Sequence, residues 1–132
     1  MGFEEIPHTA DCALRVWASD LASLFIEAAL GLNSIAGAEV DTRARVTRGV
    51  SVHGADAESL LVAFLTELVY LQEQEGLGFD QFSLQVTNQD LSGFLEGSRL
   101  LSLSRSIKAV TFHNLAIRQT EHGPETEIVF DV

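Results

Sequence analysis

The sequence predicts an α+β fold: two amphipathic helices packed on a largely antiparallel sheet, with 1–132 as one domain. Three observations carry this. Two stretches repeat their apolar residues at helical spacing, several others alternate apolar and polar residues, and the helical stretches interleave with the alternating ones. At 132 residues with 46% hydrophobic content, the chain has enough apolar material for one core without disulfide support.

Taken in order, 12–18 reads as a strand with Cys12, Leu14, Val16 and Ala18 on one side. Ser19 or Asp20 then caps a helix whose stripe is Leu21, Leu24, Phe25, Ala28, Leu32 and Ile35, closed by Gly37. A second strand region covers 42–53, with Ala44, Val46, Val50 and Val52 inward and Gly49 marking a bulge or bend. Asp56 caps a second helix carrying Leu60, Leu61, Phe64, Leu65, Leu68 and Leu71, ending near Glu75-Gly76. Phe64, Tyr70 and the surrounding leucines read as core. Phe82, Leu84 and Val86 alternate with polar residues as a half-buried strand. Leu91 to Leu95 reads as a short strand, 98–106 as a loop and 107–119 as a strand. His122-Gly123-Pro124 supplies turn chemistry before a last strand over 126–132.

Charge narrows the function. Nineteen acids against eight Lys+Arg give a net charge of −11, spread evenly over both halves, with Lys108 the single lysine. Nucleic-acid binders neutralise phosphates with Lys and Arg, so free RNA or DNA is disfavoured as principal ligand. An acidic surface instead suits a basic protein partner or hard cations. Arg43, Arg45 and Arg48 read as a solvated strand face. One cysteine excludes an intramolecular disulfide framework. The acidic N-terminus lacks a signal-peptide layout, and no apolar run is long enough to span a bilayer, so a soluble cytoplasmic protein is expected.

Three stretches could carry chemistry: His8-Thr9-Ala10-Asp11 ahead of an apolar strand, Lys108 to His113 within one, and Phe130-Asp131-Val132. Asp131 and the Val132 carboxylate place two anions side by side, a repulsion that a cation or basic group relieves. With Asp11 they make three hard oxygen donors, suited to Ca²⁺ or Mg²⁺ rather than zinc. Solvation of Asp131 and a capping role for Asp11 is the competing reading. The four histidines have no metal-finger spacing, no Gly-x-Ser-x-Gly elbow occurs, and no phosphate-binding glycine loop is present.

Five blocks in order make the chain resemble the archease family. They are His8-Thr9-Ala10-Asp11, Glu27-Ala28-Ala29-Leu30-Gly31-Leu32, 60–68 (Leu-Leu-Val-Ala-Phe-Leu-Thr-Glu-Leu), Lys108-Ala109-Val110-Thr111-Phe112-His113 and Phe130-Asp131-Val132. The family usually carries Tyr where this chain has Phe112, so any role of that hydroxyl is lost. The resemblance implies a non-enzymatic accessory of the GTP-dependent RNA ligase of tRNA splicing and RNA repair. That ligase joins 2′,3′-cyclic-phosphate or 3′-phosphate ends to 5′-hydroxyl ends. The accessory promotes guanylylation of the ligase and restores multiple turnover, meeting RNA only through it. The resemblance also implies a metal site at Asp11, Asp131 and Val132, filled by a divalent cation, Ca²⁺ or Mg²⁺. His8 and Lys108 are candidates for orienting an acid or touching the partner. The rival classes are a metal-dependent phosphohydrolase or nuclease, and a chaperone-like binding module.

Overall fold

A computed structural model describes residues 1–6 and 11–132. Its elements run β1 (Gly2–Ile6), β2 (Cys12–Trp17), α1 (Leu21–Ala36), β3 (Ala38–Val40), β4 (Val46–His53), α2 (Ala57–Glu75), β5 (Leu77–Val86), β6 (Asp90–Leu103), β7 (Ala109–Val110), β8 (Arg118–Thr120) and β9 (Gly123–Asp131). Local chemistry sets the helix limits. Asp20 Oδ1 accepts the Ser23 N–H at 2.8 Å, and Asp56 Oδ1 accepts that of Ser59 at 2.7 Å, each satisfying an orphan donor of a first turn. Gly37 and Gly76, at φ 61° and 64°, close the helices in the left-handed conformation that glycine adopts without strain.

The strands form two antiparallel sheets. In the first, β9 is central, with β2 and then β1 on one edge and β7 and β8 on the other. In the second, β6 lies between β4 and β5, and β3 pairs with its far end. Both helices supply the core between them. Leu14, Val16, Ile128 and Phe130 from the first sheet are buried with Leu24, Phe25, Ala28 and Leu32 of α1 and Leu61, Phe64 and Leu65 of α2. The rings of Phe25, Phe64 and Phe82 lie 6.0 and 6.4 Å apart in sequence, linking α1, α2 and β5. Asn33 donates to the Phe79 carbonyl at 2.7 Å and accepts from Gln72 at 3.0 Å, tying the same three elements with polar contacts.

The strand at 12–17, both helices with their caps, and the alternating 82–86 segment stand as expected. Four regions differ. The region 42–53 is interrupted, because Asp41 accepts the Arg43 N–H at 2.9 Å in a side-chain turn and Ala44 sits at φ 42°, where no strand continues. Ala44 is therefore exposed, not inward, and Gly49 lies in unbroken register opposite Phe94, so it marks no bulge.

The short strand and loop expected over 91–106 are largely one 14-residue strand, β6. Its serines are strand residues: the buried Ser98 donates to the carbonyl of Arg43 at 2.9 Å, and Ser102 to Glu39 at 3.0 Å. The strand expected over 107–119 survives only as β7 and β8. Thr111 Oγ1 accepts the His113 N–H and Asn114 sits at φ 53°, so the chain turns out of the sheet between them. Tyr70 is exposed, since it falls on the solvent stripe of α2 beside Glu67 and Glu73.

Candidate functional site

The register of β2 with β9 decides which distant residues meet. Cys12 pairs with Phe130, Leu14 with Ile128 and Val16 with Thr126, and these side chains turn inward. The alternate positions therefore share the outer face. Continued one step beyond β2, the same register matches Asp11 with Asp131. Main-chain hydrogen bonds fix the type of that pair. Pro124 O accepts from Ala18 N–H on the β2 side, whereas Val129 O and Asp131 O accept from Thr111 and Lys108 N–H on the β7 side, at 3.0 and 2.8 Å. Odd-numbered residues of β9 thus turn their main chain away from β2. In that register an Asp11–Asp131 match would be a non-hydrogen-bonded pair, the kind in which facing side chains stand closer.

The sequence candidates divide accordingly. Asp11 is half-buried one residue ahead of β2, and Asp131 is exposed at the last position of β9. The Val132 side chain packs against the core. Lys108 joins this edge through its main chain, donating its N–H to Asp131 O at 2.8 Å. Its side chain is exposed one residue ahead of β7, and among the described residues it forms no ion pair. His8 lies outside the described residues. His113 is exposed in the loop after β7, and Cys12 is buried against the Arg105 guanidinium.

Charge is distributed unevenly along this face. Toward its other end, Arg15 donates to Glu125 Oε1 at 2.8 Å and Glu4 Oε1 at 3.2 Å while its guanidinium lies 4.7 Å from the Trp17 ring centre. Hydrogen bonds to Glu125 and then Glu4 raise the Arg15 pKa. A cavity of about 710 Å³ opens beside Arg15 under the loop after β7, lined also by His113, Asn114, Arg118 and Glu127. Arg15 was not singled out in the sequence; its signal is a lone charge alternating with apolar residues in a strand. Asp131 takes part in no ion pair among the described residues.

The donor chemistry of the Asp131 end can be tested against a divalent cation. Among the described residues no cluster of three His, Cys, Asp and Glu side chains exists. The side-chain donors at this end are two carboxylates, and a third oxygen group would have to come from the Val132 main chain. An all-oxygen set fits a hard cation and does not fit zinc.

The arginine cluster at 43–48 is a set of internal pairs. Arg43 binds Asp41, Arg45 binds Asp80 and Glu96, and Arg48 binds Glu75. Hydrogen bonds from the Arg43 side chain, then its N–H, hold the Asp41 carboxyl down to about 2.

The fold defines a class: a two-sheet, two-helix α+β protein with an exposed carboxylate, Asp131, at the end of the central strand of its first sheet. Comparison with known proteins makes the assignment specific. The Archease protein family (MTH1598/TM1083) matches residues 3–132, and the chain belongs to it. Protein archease of Archaeoglobus fulgidus is 34% identical over 140 residues, covering 100% of both chains. That of Pyrococcus furiosus is 30% identical over 129 residues, covering 92% of this chain and 91% of its own. Among solved structures, an archease from Thermotoga maritima superposes with a TM-score of 0.72 at 21% identity, covering 98% of this chain and 96% of that one. That likeness supports the α+β fold.

Proposed function

We propose that this protein is an accessory of a GTP-dependent RNA ligase, acting in tRNA splicing or RNA repair through the acidic edge at Asp11 and Asp131. Membership of the archease family supports an accessory role. The observation that supports the site is the β2–β9 register, which pairs Cys12 with Phe130 and so brings the ends of the two strands that neighbour Asp11 and Asp131 together. In this reading the two carboxylates, with that of Val132, hold a divalent cation, Ca²⁺ or Mg²⁺. When bound, the cation neutralises the facing acids and offers open coordination positions to oxygen ligands of a partner.

The chain's own residues do the rest. β9 holds Asp131 from both edges, with Phe130 paired to Cys12 on one side and Val110 on the other. A carboxylate so fixed enters a partner pocket with little further loss of freedom. Contact with the ligase's metal- and GTP-binding pocket favours its guanylylation-competent state, which requires tighter binding to that state than to the resting one. A net charge of −11 steers the protein toward a basic, RNA-handling surface. RNA is met only through the ligase.

The test is ligation under multiple-turnover conditions with the cognate ligase, with and without this protein. Added protein is expected to raise turnover and the fraction of guanylylated ligase. Release of phosphate or nucleotide by this protein alone would replace the reading with a metal-dependent phosphohydrolase or nuclease. Suppression of aggregation of unrelated clients, without ligase stimulation, would favour a chaperone-like module, and the Thermotoga maritima relative is described as a possible chaperone.

A further inference from the structure

The outer face of the second sheet is made by alternate residues of three strands. Exposure alternates along β4 and the second half of β5, and Ser92 and Phe94 of β6 are exposed between buried Leu91 and Leu95. The register sets Gly49, Phe94 and Ser83 in one row and Ser51, Ser92 and Gln85 in the next. None of these six is charged, in a chain of net charge −11. Charges bound the rows instead: His53 with Asp90 at one end, and Arg45 with Asp80 and Glu96 at the other.

Relief on this face is pronounced. Phe94 is 62% exposed, the most exposed phenylalanine. Beside it Gly49 leaves open space, since a Cβ there would meet nothing within 4 Å. The resulting hollow, about 550 Å³, is floored by Gly49, Ser51, Ser83 and Ser92 around the Phe94 ring. A projecting ring and a small-residue hollow on one surface are self-complementary, as a two-fold interface requires.

We propose that this face binds the same face of a second copy of the chain, each Phe94 seated in the hollow beside the other's Gly49. Charge selects this occupant. Two copies repel wherever their acidic surfaces meet, and these rows let them approach without burying an unpaired charge. RNA gains nothing here, because the neighbouring arginines are committed, Arg45 to Asp80 and Glu96 and Arg48 to Glu75. A basic protein gains nothing from rows that lack acids. Three strands over six to eight residues cover roughly 300–400 Å² per copy. The total, about 600–800 Å², falls below the ~1,200–2,000 Å² of stable complexes, so the pair is weak and forms only at high protein concentration. The proposal is independent of the ligase reading.

The test is sedimentation equilibrium of the full chain from about 10 μM to about 1 mM, a range over which weak pairs form, at low and high salt. The mean mass is expected to climb toward a dimer with concentration, and to climb further at high salt, which screens the repulsion. Phe94→Ser and Gly49→Val are each expected to weaken association at least about tenfold. Valine suits an exposed strand position better than glycine, so Gly49→Val should melt no lower than the parent, and lost association cannot then reflect unfolding. A monomer at every concentration overturns the proposal. So does association that salt weakens, or that survives either substitution at parental strength.

Discussion

In the second sheet the arginines end on acids: Arg43 on Asp41, Arg45 on Asp80 and Glu96, Arg48 on Glu75. In the first sheet Arg15 answers Glu4 and Glu125 at one end, while Asp131 at the other end has no ion pair among the described residues. Both sheets are antiparallel and share one core, so strand chemistry does not explain the contrast. Paired charge fixes geometry inside the molecule and is silent toward solvent. Asp131, in a strand held by two neighbours and in no ion pair among the described residues, presents its carboxylate to solvent. The two regions thus differ in where side-chain charge is compensated: around the second sheet it is paired within the molecule, and at one end of the first it faces solvent.

The sharpest break in this comparison is Asp131→Ala. Stimulation of ligase turnover should fall at least about tenfold, as when a metal-binding group is lost, with the unfolding midpoint near the parent's because Asp131 is exposed. Parental stimulation by both Asp131→Ala and Asp11→Ala would remove the acidic edge from the mechanism. Next comes Gly93→Ala in the second sheet. Gly93 sits at φ 148°, and a Cβ there would lie 1.9 Å from the Ser83 carbonyl oxygen, so the backbone itself must move. A loss of about 2–3 kcal/mol in urea unfolding is expected. Folded Gly93→Ala protein should still stimulate the ligase.

A cation sharpens the comparison further. Millimolar-range Ca²⁺ or Mg²⁺ should raise the melting temperature of the parent but not of Asp131→Ala, by the equivalent of about 2.7 kcal/mol at a hundredfold excess over Kd. Smaller again is the acid limb of stability. The folded pKa of Asp41 is about 2 against an ordinary 3.8. A depressed pKa contributes stability that is complete above about pH 4 and is lost as pH falls through about 2. Unfolding midpoints of the parent should drop over that window, and those of Asp41→Asn should drop less. Arg15→Ala, which breaks partly exposed pairs, should have the least effect on stability.

Much of this was legible because it is local. Asp20, Asp56, Gly37 and Gly76 delimit the helices by capping chemistry that a sequence displays directly, and Cys12, Leu14 and Val16 alternate in plain view. The misread stretches have different causes: around 41–44, 98–102 and 111–114 side-chain hydrogen bonds and left-handed backbone redirect or pin the chain, whereas Tyr70 falls on the solvent stripe of α2. Ser98 and Ser102 read as loop residues until their partners, the Arg43 carbonyl and Glu39, are known. Asp41 and Asn114 are turn formers that an apolar frame concealed. The acids at positions 11 and 131 were nameable from chemistry and family resemblance, but their alignment depends on a pairing across the whole chain. No local pattern encodes that.

The threading of the first sheet also sets an order of assembly. β4, β5 and β6 lie within 46–103 and join by short connections, so they and the helices can organise early. β9 must be made before β2 gains its second neighbour, and closing a loop of more than a hundred residues is slow. Until then β2 keeps one open edge, and Ile128 and Phe130 are missing from the core layer beside Leu14. Nascent chains stalled before residue 123 should therefore carry a sticky, half-built layer, the stage at which a folding helper has most to protect.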